Sequence, residues 1–169
     1  QVENAIARWS ALGLSGSWQN RNIQAAYANS GLSPILDLFS ATFLESEALR
    51  SGIQEFSSSL RLESYVSNND GAIGFIDTIP LSPDLKTLRI ESSEGEISFG
   101  PTLENVNYGD YPLSLPYYIC VPRSQYRFLA PYIEFLLSDS AAETLQAEGF
   151  FPLLDSRRRQ LKSELPTGE

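Results

Sequence analysis

The stretch NNDGAIGFID, residues 68–77, decides the fold. Two asparagines, an aspartate and a glycine lead directly into an apolar run that is interrupted by Gly74. A short apolar run immediately after a turn is typical of a strand that is buried on both faces. A glycine inside such a strand indicates that a neighbouring group approaches the backbone closely, whereas Gly71 turns the chain out of the preceding helix. The stretch therefore predicts a buried strand.

Strand and helix patterns alternate upstream of this stretch. Residues 22–28, NIQAAYA, predict a strand, and residues 59–70, SLRLESYVSNND, predict a helix that ends at the two asparagines. Residues 44–58 are polar and serine-rich, so they predict a loop or a second short helix. Short strands that alternate with helices predict an α/β protein, here a three-layer α/β/α arrangement with a mixed sheet.

Two further strands are predicted downstream, on either side of an irregular segment at residues 101–116. They are DLKTLRIES, residues 84–92, and the apolar YYICVP, residues 117–122. Cys120 is the one cysteine, so it has no internal disulfide partner, and no histidine exists to activate its thiol. Because its neighbours are apolar, Cys120 is predicted to be a small buried residue.

Helices are predicted to complete the chain. The apolar spacing of YRFLAPYIEFLLS, residues 126–138, predicts one helix. A second helix is expected to begin with Asp139 or Ser140 as its N-cap and to end at Gly149. The arginines of the polar tail, residues 157–159, predict a solvent-exposed helix face rather than a nucleic-acid patch.

Composition narrows the possible functions. The 169 residues carry a formal net charge of −9, which repels nucleic-acid backbones and anionic membrane surfaces. The absence of histidine removes histidine metal ligands, histidine general bases and Ser-His triads. The acids Glu45, Glu47 and Glu55 predict a solvated face rather than a catalytic carboxylate pair. We therefore expect no enzyme activity, metal site, cofactor, nucleic-acid partner or membrane insertion.

Four segments, in order, resemble the phosphate-binding proteins of bacterial ABC transporters. The matching family patterns are W..LGL.G.W..R.I, NPGAIGYV, G.YPLSRPLYIYV and a terminal helix pair ending in GF.PL. In this chain the corresponding segments are WSALGLSGSWQNRNI (9–23), NNDGAIGFID (68–77), NYGDYPLSLPYYICV (107–121) and FLAPYIEFLLSDSAAETLQAEGFFPL (128–153). The resemblance covers nearly the whole chain, from about residue 7 to residue 154.

The resemblance implies one lobe of the type II periplasmic-binding-protein fold, in which two lobes hold a ligand between them. Residues 1–154 would form the second lobe with a returning strand and terminal helices, followed by a polar tail at residues 155–169. The implied function is a periplasmic or otherwise extracytoplasmic binding module for phosphate or another small oxyanion. Its implied partners are an ABC transporter permease and a missing first lobe, which a separate chain could supply or which cleavage could have removed.

The candidate ligand-binding residues lie in the turn between the strand at 22–28 and the next helix. Asn29, Ser30 and Gly31 are turn formers, Ser33 is a natural N-cap, and Pro34 suits the first helical position. Free backbone N–H groups and the helix dipole make such a helix start suitable for an oxyanion. Asn29, Ser30, Gly31 and Ser33 are therefore expected to hold the ligand.

This turn departs from the R.SGSGT pattern of the family. Ala28 stands at the arginine position, Leu32 replaces a serine, and Pro34 lacks a backbone donor. Leu115 also stands where the family often has an arginine. Two alternatives follow: residues 29–34 only cap a strand–helix turn, or the chain is an interaction or scaffold domain that kept the fold and lost the phosphate site.

Overall fold

The computed structural model describes residues 6–29, 35–44 and 51–165. Within them lie three strands and six α-helices. The strands are β1 (Gln24–Ala28), β2 (Gln54–Phe56) and β3 (Ala72–Phe75). The helices are α1 (Ile35–Phe43), α2 (Ser59–Ser67), α3 (Leu103–Tyr108), α4 (Tyr126–Leu136), α5 (Asp139–Ala147) and α6 (Asp155–Glu164). Short 3-10 helices occupy Trp9–Leu12, Gly16–Trp18 and Arg123–Gln125.

The chain divides into two compact units, residues 1–87 and residues 88–169. The first unit contains a three-stranded sheet in the order β2-β1-β3, with both pairs parallel. Ala26 of the central strand lies opposite Gln54 on one side and Gly74 on the other. The prediction of a mixed sheet is not met by these strands, since all three run in the same direction.

One face of this sheet packs against α2. Ala26 and Ala28 form the core with Leu62, and all three side chains are buried. A Cβ atom placed on Gly74 would lie only 3.1 Å from Val66 Cγ2, so the close approach predicted for this glycine is present. Small residues on the strands thus let the helix sit close to the sheet.

The opposite face packs against α1. Phe75 follows Gly74 and therefore points to the other side of the sheet. Its ring centroid lies 4.8 Å from that of Phe39 in α1, with the rings nearly edge-on. Helices on both faces give the three-layer α/β/α arrangement that the sequence predicts.

The turn before β3 is fixed by its backbone. Gly71 is buried, and its carbonyl accepts hydrogen bonds from Gln24 N at 3.0 Å and Trp9 Nε1 at 3.1 Å. A Cβ atom here would lie 2.7 Å from the Asn22 carbonyl oxygen. The β3 strand itself is less enclosed than expected, since Ala72, Ile73 and Phe75 are partly buried.

The second unit begins irregularly. The predicted strand at 84–92 contributes only one isolated bridge, in which Ile90 pairs with Phe99. The segment predicted to be irregular contains α3, whose N-cap Thr102 accepts a hydrogen bond from Asn105 N at 3.2 Å. The helix ends at Gly109, which has a φ of 82° that suits glycine.

The terminal helices form as predicted, with corrections to the N-cap of α5 and to Arg158, which was expected on a solvent-exposed face but has a side chain only 11% exposed. The N-cap of α5 is Ser138, whose hydroxyl accepts from Ala141 N at 3.2 Å, and not Asp139 or Ser140. Gly149 has a φ of 81° just after the helix. The α6 helix is joined to α5 by an ion pair of 2.5 Å between Arg158 and Asp139. The division at residue 154 stays a prediction.

Three further sequence predictions are wrong. Residues 117–122 belong to no strand within the described residues, and Cys120 is exposed rather than buried. The polar segment at 44–58 was expected to be a loop or a helix, but its residues 54–56 form β2. A strand this short carries no apolar alternation from which it could be recognised.

Candidate functional site

The candidate site lies at the carboxyl end of β1, the central strand of the sheet. Ligands of open α/β sheets bind outside the carboxyl ends of parallel strands, where the connecting loops meet. Here β1 ends at Ala28, Asn29 follows, and α1 begins at Ile35. Ser30, Gly31 and Ser33 fall in the intervening segment, which lies outside the described residues. Their assignment as ligand contacts stays a prediction.

Asn29 is held by the neighbouring strand. Its backbone N–H donates to the Phe56 carbonyl at 2.8 Å. Its side-chain Nδ2 donates to Glu55 Oε1 at 2.7 Å, while Tyr27 Oη donates to Glu55 Oε2 at 2.8 Å. The two hydrogen bonds of Asn29 to β2 therefore fix the direction in which the chain leaves β1.

The Glu55 carboxylate is the charged group at this strand end. Hydrogen bonds from Tyr27 and then from Asn29 lower the pKa of Glu55, so it is ionised at neutral pH. The hydrogen bond between Tyr27 and Glu55 also raises the pKa of Tyr27. The sequence interpretation placed Glu55 on a solvated face, which is consistent with its exposure, but missed both partners.

The helix that follows is anchored from its first described residue. Ile35 is 7% exposed, and Phe39 one turn later contacts Phe75 of the sheet. Asp37 lies in the first turn of α1, where a negative charge interacts favourably with the helix dipole. Asp37 thus follows residues 30–34 by three positions, and Glu55 is hydrogen-bonded to Asn29, which precedes them.

The arginine expected from the family pattern is replaced by a buried alanine. Ala28 is 3% exposed and packs in the core with Leu62. Arg21 pairs with Asp70 at 2.6 Å and lies over the Trp18 ring at 4.9 Å from its centroid. Position 28 therefore offers no guanidinium to an anion, in contrast to the family pattern.

Over residues 6–29, 35–44 and 51–165, no three Cys, Asp or Glu side chains are grouped so that they could hold a metal ion. None of the helices described there has both the length and the apolar character needed to span a membrane.

Curated relatives were found among phosphate-binding proteins. The chain is 25% identical over 152 residues to the phosphate-binding protein PstS of Pseudomonas aeruginosa strain PAO1, and equally so to that of strain UCBPP-PA14. The alignment covers 88% of this chain and 47% of the relative. The chain thus spans about half the length of the curated relatives it matches. No protein-family model matches it.

Two solved structures superpose on the chain. One is described as a possible phosphate binding protein from Planctomyces limnophilus, with a TM-score of 0.68 and 22% identity over 96% of this chain and 59% of that one. The other is an ABC-type phosphate transport receptor from Vibrio cholerae, with a TM-score of 0.57 and 20% identity over 87% and 58%.

These similarities confirm the resemblance that the four sequence segments carry. The chain has the α/β architecture of these proteins, which is the type II periplasmic-binding-protein fold. The relatives are named as binding proteins and a transport receptor, and none of their names describes an enzyme.

Proposed function

We propose that this chain is a solute-binding module that holds phosphate or another small oxyanion at the turn after β1. The observation that carries the proposal is the fixed end of β1, where Asn29 is hydrogen-bonded through its backbone and side chain to β2 just before α1 begins. The names of the relatives point to phosphate as the ligand. Asn29 would shape the turn, and Ser30, Gly31 and Ser33 would contact the anion.

The helix start supplies the attraction. The first backbone N–H groups of a helix have no partner within the helix, and the dipole places about half a positive charge there. An anion held by such groups loses its water but gains directed donors. The hydroxyls of Ser30 and Ser33 would add two donors beside the backbone groups of the turn.

Binding is expected to be weaker than at a site that includes an arginine. A lost charge-assisted contact costs about 2–5 kcal/mol, and about 1.4 kcal/mol corresponds to a tenfold change in affinity. Pro34 removes one backbone donor, and the ionised Glu55 is hydrogen-bonded to Asn29, the residue just before Ser30. The backbone groups must therefore provide most of the binding energy.

A second lobe would complete the site. In clamp-like binding proteins, hinge closure brings donors from both lobes around the ligand. We propose that the first lobe is supplied by polypeptide that this chain does not span, that an ABC transporter permease accepts the ligand, and that binding takes place in the periplasm or another extracytoplasmic space.

The alternative function is an interaction or scaffold domain that kept the fold without the anion site. Ala28, Pro34 and Leu115 favour it, because each replaces a group that could bind phosphate or weakens the turn as a donor. Asp37 in the first turn of α1 and Glu55, which is hydrogen-bonded to Asn29, favour it as well, since negative charges repel an anion.

Calorimetric titration with phosphate distinguishes the two functions. We expect saturable binding that the Ser30→Ala variant weakens about ten- to a hundredfold, because a hydrogen bond to a charged group contributes about 1.5–3 kcal/mol. Ser67→Ala, an exposed serine at the end of α2, serves as the matched control and should bind normally. Absence of heat with phosphate and sulfate would support the scaffold alternative.

A further inference from the structure

The chain between β3 and α3 has little regular structure. Strand β3 ends at Phe75 and helix α3 begins at Leu103. The structure describes all of the intervening residues, 76–102, and they contain no helix or strand apart from an isolated bridge between Ile90 and Phe99. Irregular chain of this kind runs over the protein surface, because its backbone groups need water as a hydrogen-bond partner. Its peptide bonds are therefore accessible to other proteins.

Side-chain hydrogen bonds hold this irregular chain on either side of residues 83–88. Upstream, the Ser82 N–H donates to Glu63 Oε2 at 3.0 Å, and Glu63, on α2, is only 7% exposed. Downstream, Arg89 Nε donates to the Ser98 carbonyl at 3.0 Å. Residues 83–88 thus form a connecting segment between two anchored positions.

The connecting segment is itself loosely held. Leu85 is partly buried, and the other residues of the segment are exposed. With the described residues the segment makes one hydrogen bond, a local one from Leu85 N to the Ser82 carbonyl at 3.3 Å. The boundary between the two compact units, after Thr87, falls inside this segment. Exposed linkers with few contacts are the usual place both of unit boundaries and of proteolytic cuts.

Lys86 is the basic residue of the connecting segment. It is exposed, and it forms no hydrogen bond or ion pair with any described residue. The other described basic residues lie in helices (Arg61, Arg123, Arg127, Arg157, Arg158, Arg159 and Lys162), in an isolated bridge (Arg8) or in side-chain hydrogen bonds (Arg21 and Arg89). A protease binds its substrate as extended chain, which a helix does not offer. Among the described residues, Lys86 is therefore the most accessible to a protease that cuts after lysine or arginine.

We propose that the peptide bond between Lys86 and Thr87 is a processing site for a trypsin-like protease. The acid in the specificity pocket of such an enzyme pairs with the Lys86 ammonium group. Hydrolysis breaks the bond between the Lys86 carbonyl carbon and the Thr87 nitrogen, and water supplies a hydroxyl group to the carbon and a proton to the nitrogen. The cut divides the chain between the unit with the sheet and the unit with the terminal helices, and it interrupts no helix or strand. This inference does not depend on phosphate binding.

Limited digestion of the folded full chain with trypsin tests the site. Mass spectrometry follows the new N-terminus at Thr87, and we expect it to form before any cut after the other described basic residues. In the Lys86→Gln variant the link between the two units should survive at least about tenfold longer, because Arg89 is held by Ser98 and does not substitute for Lys86. Arg157→Gln, which changes an exposed arginine of α6, is the matched control and should leave the rate of the cut at Thr87 unchanged.

Three outcomes would overturn the proposal. The first is an earlier cut after a basic residue of a described helix, and the second is a Lys86→Gln variant that trypsin divides just as fast after Arg89. The third is loss of the helical circular-dichroism signal once the chain is cut at Lys86, since the bond would then not lie between two self-contained units. Retention of that signal in the cut protein is the expected result.

The anchor at Glu63 provides a second variant. Glu63→Ala removes the acceptor of the Ser82 N–H, so it should free the upstream end of the connecting segment and speed the cut after Lys86 several-fold. Glu143→Ala, which changes an exposed acid of α5, is its control and should leave the rate unchanged. If Glu63→Ala accelerates cuts within α4 and α6 equally, the variant unfolds generally, and Glu63 is not a local anchor of this segment.

Discussion

Glu55 accepts hydrogen bonds from Tyr27 and Asn29 at the strand end where the candidate turn begins. Tyr27 and Glu55 are register partners in the parallel sheet, which brings their side chains to the same face. The sequence could not reveal this network, because it depends on a β1–β2 pairing between residues 28 positions apart. The turn formers at 29–31 were visible in the sequence, but the group that orients Asn29 was not.

Replacement of Glu55 by glutamine should reduce stability at neutral pH. Its two hydrogen-bond donors lower the pKa of Glu55 in the folded state. The ionised carboxylate therefore stabilises the fold at pH values above the pKa of Glu55 in the unfolded chain, about 4.3. That contribution is lost as pH falls through the folded pKa. Urea unfolding at a series of pH values should therefore show Glu55→Gln less stable at pH 7, with the difference shrinking in acid.

Glu143→Gln, an exposed acid of α5, is the control for this experiment and should follow the unmodified protein at each pH. A Glu55→Gln variant that matches the unmodified protein at pH 7 would show that the hydrogen bonds to Tyr27 and Asn29 do not stabilise the strand end.

At the scale of elements, Gly71 fixes the junction between α2 and β3. A methyl group there would approach the Asn22 carbonyl to 2.7 Å, and a backbone atom cannot move aside as a flexible side chain could. Gly71→Ala should therefore destabilise the protein by about 1–3 kcal/mol. Chemical denaturation followed by circular dichroism measures the change.

Gly100→Ala is the matched control. Its added methyl would lie 3.8 Å from Arg89 Cγ, an ordinary contact, and its φ is not in the left-handed region. We expect it to be neutral or to stabilise by about 0.4–1 kcal/mol through the unfolded state. Equal destabilisation in both variants would show that close packing at Gly71 is not the cause.

The start of α5 offers a second comparison between elements. Ser138→Ala removes the hydroxyl that accepts from Ala141 N and should cost about 1 kcal/mol. Ser140→Ala, two positions later and exposed within the helix, should cost little because alanine is the better helix former. Thermal unfolding of both variants measures the difference, and a larger loss from Ser140→Ala would reassign the cap.

The sequence predicted correctly those elements whose structure depends on the spacing of residues within one segment. The glycine within AIGF indicated close packing, and the apolar spacing of residues 126–136 indicated a helix. The YYICV segment was predicted to be a buried strand, yet it joins no sheet in the described part of the chain. Strand propensity is satisfied only by a neighbouring strand, so the sequence of one segment cannot show whether that neighbour is present.

At the scale of the whole molecule, the similarity to phosphate-binding proteins favours an anionic ligand, whereas the net negative charge of the chain disfavours one. The curated relatives are phosphate-binding proteins, whereas this chain carries a net charge of −9 and a buried alanine at the expected arginine position. Local N–H groups can hold an anion in an acidic protein, because their dipoles act at contact distance while exposed charges are screened beyond about 8–10 Å. The fold was predictable from ordered segments of sequence, but the ligand site depends on a turn outside the described residues.

The most direct test of the central claim is an amide-resolved NMR titration of the isotope-labelled protein with phosphate. If the anion binds where β1 leads into α1, the amide signals of Ser30, Gly31 and Ser33 should shift together and saturate along one binding curve, with Asn29 following. Sodium chloride at equal ionic strength should leave them in place. Signals that stay fixed at this turn, or that shift only around Arg157–Arg159, would contradict the proposed site.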